Sequence, residues 1–390
     1  MPAKKILFIN HDASRSGAPI ILLNFLRWFK ENSKIPFRVL SKNSGDLDQD
    51  FQKLAKLNFF KRTGLFGNAP LNPALLTRGI HKVLNQLHFR HLLNELIKDD
   101  IGLIYSNTIT NGEILKFLSV MNCPIITHVH ELEYWIHRSG PSNLEKVKSY
   151  TKLFIVVSEA VKEHLVINHD IPAERIEVIH GFIPVSVLID RLDSANNPRK
   201  DMNIPDDAFI VGSSGMETWR KGKDLFIQLA IAVLSKVGDM PVHFVWVGGH
   251  PDSTEAYQIR HDLHHAGIEN QVHFVDHVTN PLDYYNQFDA FAMVSREDPF
   301  PLVNLEAAAL GKPIVCFNSA GGSPEFVGKD AGFVVPYLDI NAMADKVVLL
   351  AMNKKIRKDL GSRGSAKVAD CYDISVGALK ILDVIEQHLA

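Results

Sequence analysis

At 390 residues the chain exceeds the size that one hydrophobic core usually reaches, so two domains are expected. Its 46% apolar and 22% charged content excludes an intrinsically disordered chain, and no run of about twenty apolar residues offers a membrane span. A net charge of −2 with no basic stripe of stacking aromatics excludes nucleic-acid binding, and three widely spaced cysteines exclude a disulfide framework or a structural zinc site.

The N-terminus, Met1-Pro-Ala-Lys-Lys-Ile-Leu-Phe-Ile-Asn10, holds only four apolar residues after its charges. That is too short for the core of a signal peptide and suits a first buried strand, so a cytosolic chain is expected. The first half offers further strands at 38–40, 103–105, 125–128 and 153–157, with helices at 19–30 and 74–98 between them. Such alternation signals a parallel sheet with crossover helices. The turn after the first strand, Asn10-His-Asp-Ala-Ser-Arg-Ser-Gly-Ala-Pro-Ile20, carries small residues, among them Gly17 and Ala18, that let a backbone approach a ligand. Its Pro19 suits a first helical turn, whose free amides can hold phosphate oxygens. A plain strand-to-helix turn is the alternative.

Residues 59–94 interleave Lys61, Arg62, Arg78, Lys82 and Arg90 with Phe59, Phe60, Leu65, Phe66, Leu84 and Phe89. Either an anionic membrane surface or, in the preferred reading, packing of a helix on the sheet accounts for the pattern. Up to Val185 there are 23 Lys and Arg against 17 Asp and Glu, and beyond it 19 against 27. The first half is therefore basic, which suits an anionic acceptor or simple solubility. At the end of the 125–128 strand lies Thr127-His-Val-His-Glu-Leu-Glu133. Three readings are open for it: a metal held by His128, His130 and Glu131, a buried histidine, or an imidazole presented to a ligand. If the strand continues, His128 and His130 share a face.

Residues 200–207 read as a linker. The second half then repeats the pattern with strands at 209–213, 242–247, 272–274, 290–294 and 314–317 and helices at 224–237 and 257–266. Its loops carry Gly212-Ser-Ser-Gly-Met-Glu-Thr-Trp-Arg-Lys-Gly-Lys-Asp224, with Lys223 read as solvent-facing, then Val247-Gly-Gly249, and then Val272-His-Phe-Val-Asp-His-Val278. The richest stretch is Ser295-Arg-Glu-Asp-Pro-Phe-Pro-Leu-Val-Asn-Leu-Glu-Ala-Ala-Ala-Leu-Gly-Lys-Pro-Ile-Val315. It reads as loop, helix at 305–310 and strand, and sets Asp298 and Glu306 with seven residues between them. Helix-start amides suit phosphate, and carboxylates accept hydrogen bonds from sugar hydroxyls, so these features together suggest a nucleotide-sugar site. A last helix is expected at 376–389.

The 295–315 stretch resembles the donor-site signature of the family 4 retaining glycosyltransferases, in which two Glu are separated by seven residues. Asp298 takes the first acidic position, since Glu297 is one residue too far, Glu306 takes the second, and Pro301 replaces the family's loop glycine. Lys221 and Gly215 fall on the family's diphosphate clamp, while its Arg falls on Met216, leaving Arg220 as the substitute. His130 matches the family histidine that faces the sugar, and the turn at Gly17 and Ala18 resembles its first-domain glycine-rich loop. Val278 falls in the segment whose backbone reads the base. Glu325 matches a recurrent family acid, for which a structural role is preferred.

The resemblance implies an α/β GT-B fold, two Rossmann-like doubly wound domains facing across a cleft. Its first domain is 1–190 with the C-terminal helix (374–390) crossing back, and its donor domain is 200–373. It implies retaining transfer of a hexose-type sugar from a nucleotide-diphosphate donor, UDP- or GDP-linked, to a saccharide or lipid-linked acceptor, with no metal and no cofactor. His130, Asp298, Lys221 and Arg220 would serve the chemistry. Gly17, Ala18, Gly215, Val278, Phe300, Pro301, Leu302, Val303 and Glu306 would hold the donor. Cell-surface polysaccharide or glycoconjugate synthesis would be its setting, with the protein in the cytoplasm and at most a peripheral contact with the inner face of the membrane. A nucleotide-sugar 2-epimerase, which needs no acceptor, and a non-catalytic sugar-nucleotide-binding subunit are the rival functions.

Overall fold

A computed structural model describes residues 4–61, 75–192, 196–250 and 253–389. They form two compact units. The first runs to Val157 and adds Val161–Ile179 and the residues from Ala378 onward; the second comprises Ser158–Ala160 and His180–Gly377. The 200–207 segment read as a linker lies inside the second unit, where Pro198–Asp201 forms a short helix.

The first unit is built on a seven-stranded sheet, β1 (Lys5–Asn10), β2 (Phe37–Ser41), β3 (Leu57–Phe59), β4 (Ile101–Ser106), β5 (Ile125–Val129), β6 (Leu153–Val156) and β7 (Ile176–Val178). The spatial order is β3-β2-β1-β4-β5-β6-β7, with parallel pairing throughout. Helices cover both faces, so the central strands are near-continuous apolar runs, not alternating ones; every residue of β4 is buried. Phe8 on β1 packs against Phe25 and Phe29 of the helix Gly17–Asn32 with ring centroids 5.9 and 5.8 Å apart, and against Tyr105 of β4 at 5.2 Å. Residues from Ala378 add Ala378, Ile381 and Ile385 to this unit's buried set.

The second unit holds a six-stranded parallel sheet, β8 (Phe209–Ser214), β9 (Val242–Val247), β10 (Val272–Val275), β11 (Ala290–Met293), β12 (Ile314–Phe317) and β13 (Gly332–Val335), ordered β10-β9-β8-β11-β12-β13. Phe226, Phe244 and Trp246 form its aromatic centre. In both sheets the winding reverses beside the unit's first strand, between β1 and β4 and between β8 and β11. At such a reversal the connections leave in opposite directions and open a crevice beyond the strands' carboxyl ends.

Three strands escape the sequence pattern: β3 and β7 are three-residue edge strands, and β13 is a four-residue strand opening on Gly332. The donor-signature helix runs Leu302–Ala309, starting three residues before its expected 305, because the extended Pro301 can stand at a helix N-cap. In the basic 59–94 segment, Phe60 and Phe89 pack with Phe117 at 5.0 to 5.5 Å, which supports the packing reading for that part. Arg62, Leu65 and Phe66, and the side chains of Arg78, Lys82 and Leu84, lie outside the described residues. No described helix is long and apolar enough to cross a membrane.

Candidate active site

In the first unit the candidate residues gather at the β1/β4 reversal. The helix Gly17–Asn32 begins without a side-chain cap: Ser16 is extended, and its hydroxyl faces Ser14 Oγ at 3.0 Å. Pro19 has no N–H and the amide of Ile20 is bonded to Ser16, so the amides of Gly17 and Ala18 are the ones left open among the described residues. A Cβ on Gly17 would meet nothing within 4 Å, so the fold does not itself demand glycine there. Two open amides at the positive end of a sixteen-residue helix make a place for an anion.

His130 follows β5 directly. Its Nε2 lies 3.0 Å from Asn107 Oδ1, while Asn107 Nδ2 donates to the Ala18 carbonyl at 2.8 Å. A carbonyl can only accept, so the Ala18 bond fixes the orientation of the Asn107 amide. The oxygen is therefore the atom facing His130, which makes Nε2 the protonated nitrogen and leaves Nδ1 a lone pair. Burial, with His128 and His11 nearby, holds the His130 pKa well below the ordinary imidazole value, so the ring is neutral. His128 shares its side, as strand alternation requires, with ring centroids 4.0 Å apart. It is bonded to Tyr105 through Nδ1 at 2.7 Å, and burial pushes its pKa down to about 3. Glu131 turns inward: it takes the hydroxyl of Thr108 and the amides of Ile109 (3.2 Å) and His130 (2.9 Å). Among the described residues, the ligand atoms of His128, His130 and Glu131 do not gather within metal-binding reach of one another, so the three-ligand metal reading of this segment finds no support. Glu131 instead braces the loops.

In the second unit the loops leaving β8 and β11 are joined by charge. Lys221 Nζ lies 2.5 Å from Asp298 Oδ2, the side chains being 15% and 8% exposed. Arg220 is buried and donates from Nη1 to the Glu297 carbonyl at 2.7 Å, so it braces the backbone beside Asp298. Arg296 adds a two-pronged bond to Asp224, at 2.8 and 2.6 Å, and lies over the Trp219 ring. Between these loops Gly222 has φ 72°, and a Cβ there would stand 2.2 Å from the Val294 oxygen, so only glycine fits. The family cation position, Met216, is 53% exposed.

Lys223, expected to face solvent, is instead buried. It is paired to Glu217 at 2.6 Å and lies over Phe274, because it opens the helix Lys223–Leu234 and that turn points inward. Gly215 has both backbone groups engaged, its amide with Val247 and its carbonyl with Trp246 Nε1. It therefore contributes room and no donor: a Cβ would crowd the Lys221 stem at 3.2 Å.

Glu306 has no hydrogen-bond partner among the described residues, and burial, only partly offset by Arg191, raises its pKa to about 7. At the start of its helix Pro301 makes no side-chain cap, and the amides of Leu302 and Val303 are unbonded among the described residues. Phe300 is 6% exposed and its ring packs between His180 (5.2 Å) and Tyr372 (5.7 Å), so its side chain is part of the core. Val278 is half-buried beyond β10, close after the Gly248–Val275 and His277–Gly249 backbone bonds. Glu325 accepts from the amides of Glu159 and Ala160 and from His180, in keeping with a structural role; these bonds outweigh burial and hold its pKa below the usual carboxylate value.

Asn107, Glu217 and Arg296 went unnoticed in the sequence. Only Arg296, adjacent to the signature acids, had a local signal; the partners of the other two are set by how the loops fold.

Two doubly wound parallel sheets with polar loops at each reversal define the GT-B class. The family model described as "Glycosyl transferases group 1" matches residues 194–367, and that described as "Glycosyltransferase Family 4" matches residues 58–187. The capsular polysaccharide biosynthesis glycosyltransferase CapM of Staphylococcus aureus is 23% identical over 236 residues, which are 60% of this chain and 61% of that protein. The O-antigen biosynthesis glycosyltransferase WclY of Escherichia coli is 33% identical over 122 residues, 31% of this chain and 32% of that one. The matched region thus spans about three fifths or less of the length of these curated relatives. Among solved structures, Anabaena HepE in complex with UDP is similar with a TM-score of 0.79 at 19% identity, covering 98% of this chain and all of that one. Sucrose-phosphate synthase from Thermosynechococcus elongatus gives 0.75 at 19% identity, covering 98% of each. The chain belongs to the family 4 glycosyltransferases, a family of transferases with the GT-B fold.

Proposed function

We propose that this protein transfers a hexose-type sugar from a nucleotide-diphosphate sugar to a saccharide or lipid-linked acceptor, with retention at the anomeric carbon and without a metal. The observation that carries the reading is the Lys221–Asp298 pair at 2.5 Å. It puts a cation suited to a diphosphate and an acid suited to sugar hydroxyls on the two loops that flank the second sheet's reversal. Glu306, a carboxylate with no hydrogen-bond partner among the described residues, accepts from the ribose hydroxyls in this reading, and the Leu302 and Val303 amides face the phosphates. From the first unit we assign His130, whose Nδ1 lone pair accepts from a sugar hydroxyl, and the Gly17 and Ala18 amides, which take phosphate oxygens.

The C1–oxygen bond to the diphosphate breaks, and the nucleoside diphosphate leaves with the electron pair, stabilised by Lys221 and helix-start amides. The acceptor oxygen bonds to C1 on the same face and gives its proton to a departing phosphate oxygen. Arg220 acts as a positioning residue through the Glu297 carbonyl. UDP-linked donors are favoured by the likeness to HepE, which has been crystallised with UDP and with UDP-glucose. Relatives named for capsule, O-antigen and lipopolysaccharide core synthesis support a cell-surface glycan acceptor. A lipid-linked acceptor would bring the protein to the inner membrane face.

Thermal-shift measurements with UDP, GDP, ADP and their sugars, with magnesium or with chelator, test the reading. One nucleotide family is expected to stabilise the protein equally with and without chelator. No shift with any nucleotide would remove the proposal. Product analysis without acceptor separates transfer from epimerisation.

A further inference from the structure

We propose that Glu133, His164 and His169 form a binding site for one divalent transition-metal ion of the zinc class, in the first unit and apart from the residues assigned to the donor. Glu133 Oε2 lies 3.0 Å from His164 Nε2 and 2.9 Å from His169 Nε2, and one ligand atom from each of the three residues lies within 4.8 Å of the others. A tetrahedral zinc with bonds of about 2.0–2.1 Å holds its ligand atoms roughly 3.3 Å apart, so the Glu133 contacts need to open by only a few tenths of an ångström. The two rings lie 5.2 Å apart at 73°, so their nitrogens approach the carboxylate oxygen from different directions instead of stacking.

The imidazoles are held in place, their side chains 17% and 13% exposed, while Glu133 is 49% exposed. Three protein ligands therefore face an open side where water completes the coordination. Two imidazoles with one carboxylate suit zinc, cobalt, nickel or copper and not the all-oxygen shells of magnesium or calcium. Each Nε2 that coordinates the ion gives up its proton, to the ring's own Nδ1 or to water. Glu133 opens the helix Glu133–Ser139 just after the His130-Glu131 pair, whereas both histidines belong to the helix Glu159–His169. A bound ion would cross-link these two segments more firmly than the Glu133 hydrogen bonds do.

The test uses the full chain stripped with chelator and titrated with zinc by calorimetry, with cobalt absorption as a coordination probe. We expect one zinc per chain, visible cobalt bands of four-coordinate N/O ligation, a rise in Tm of about 2–4 °C and no response to magnesium. H164Q and H169Q should each weaken zinc binding at least tenfold. E133A, at an exposed position that should fold normally, should do the same. H261Q, which alters the exposed His261–His265 pair of the second unit, should leave binding unchanged. Absence of zinc binding in the unaltered protein, or full affinity in E133A or in both histidine variants, would overturn the site. Nucleotide shifts at fixed metal content report separately on the donor assignment.

Discussion

Asn107 sets the protonation state of His130: its amide nitrogen is committed to the Ala18 carbonyl at 2.8 Å, so its oxygen meets His130 Nε2 at 3.0 Å. One side chain thereby ties the loop after β4 to the start of the helix after β1 and selects the His130 tautomer. In N107A the imidazole loses this lock. The expected outcome is a mixed tautomer in the nitrogen NMR shifts of His130 and a kcat lower by about tenfold with little change in donor KM, about 1.4 kcal/mol of transition-state stabilisation. An unchanged tautomer in N107A would show that other contacts orient the ring.

The Lys221–Asp298 pair makes opposite predictions for its two members. K221A removes the cation that offsets the leaving charge, so turnover should fall by about 10²–10³. It also leaves a buried carboxylate without compensation, so Tm should fall as well. D298N removes a negative charge that competes with the diphosphate for Lys221. UDP itself should bind equally or more tightly, while turnover of the nucleotide sugar falls. Calorimetry with UDP alongside a transfer assay checks both arms, and weaker UDP binding in D298N would contradict the assignment.

Glu306 has a pKa raised to about 7, mainly by burial. A folded-state pKa above the unfolded value means that its contribution to stability is present at low pH and is lost as pH rises through about 7. E306Q should therefore raise Tm near pH 8 and leave it nearly unchanged near pH 4. Ribose hydroxyls donate to the ionised form, so nucleotide affinity should weaken as pH falls below 7, by up to tenfold per unit. In E306Q that pH dependence should flatten to the part owed to the ligand's own phosphate. E306A should weaken nucleotide binding by about 10–100-fold, the loss of hydrogen bonds to a charged group.

Gly222 is held at φ 72° with the Val294 oxygen 2.2 Å from where a Cβ would stand. G222A should cost at least about 2 kcal/mol of stability, read by denaturant unfolding, and should loosen Lys221 next to it. A variant as stable as the parent would mean that the loop relaxes without cost.

Much of this molecule is legible in the order of its amino acids. The buried strands β1, β4, β5, β8, β9, β11 and β12 show as short apolar runs because both faces of a parallel sheet are covered. The loops with ligand-binding chemistry show as small, polar and charged residues after those runs. Less legible are the short strands β3, β7 and β13, whose few residues carry no periodicity, and the inward turn of Lys223, whose partner Glu217 lies on the other side of a tight turn. Asn107 carries no signal at all: it is one polar residue after a strand, and the Ala18 carbonyl it holds lies 89 positions away.

The sequence by itself determined the alternation of strands and helices, the family, and the positions of the acids and cations, since each is a property of neighbouring residues. Only the tertiary structure decided which of them meet. Lys221 and Asp298 are 77 residues apart, and Glu133 is 36 from His169. In a parallel sheet, adjacent strands are joined by long crossovers, so loops at one end of the sheet come from distant segments. Local pattern records the loops, and the winding order of the strands determines their partners.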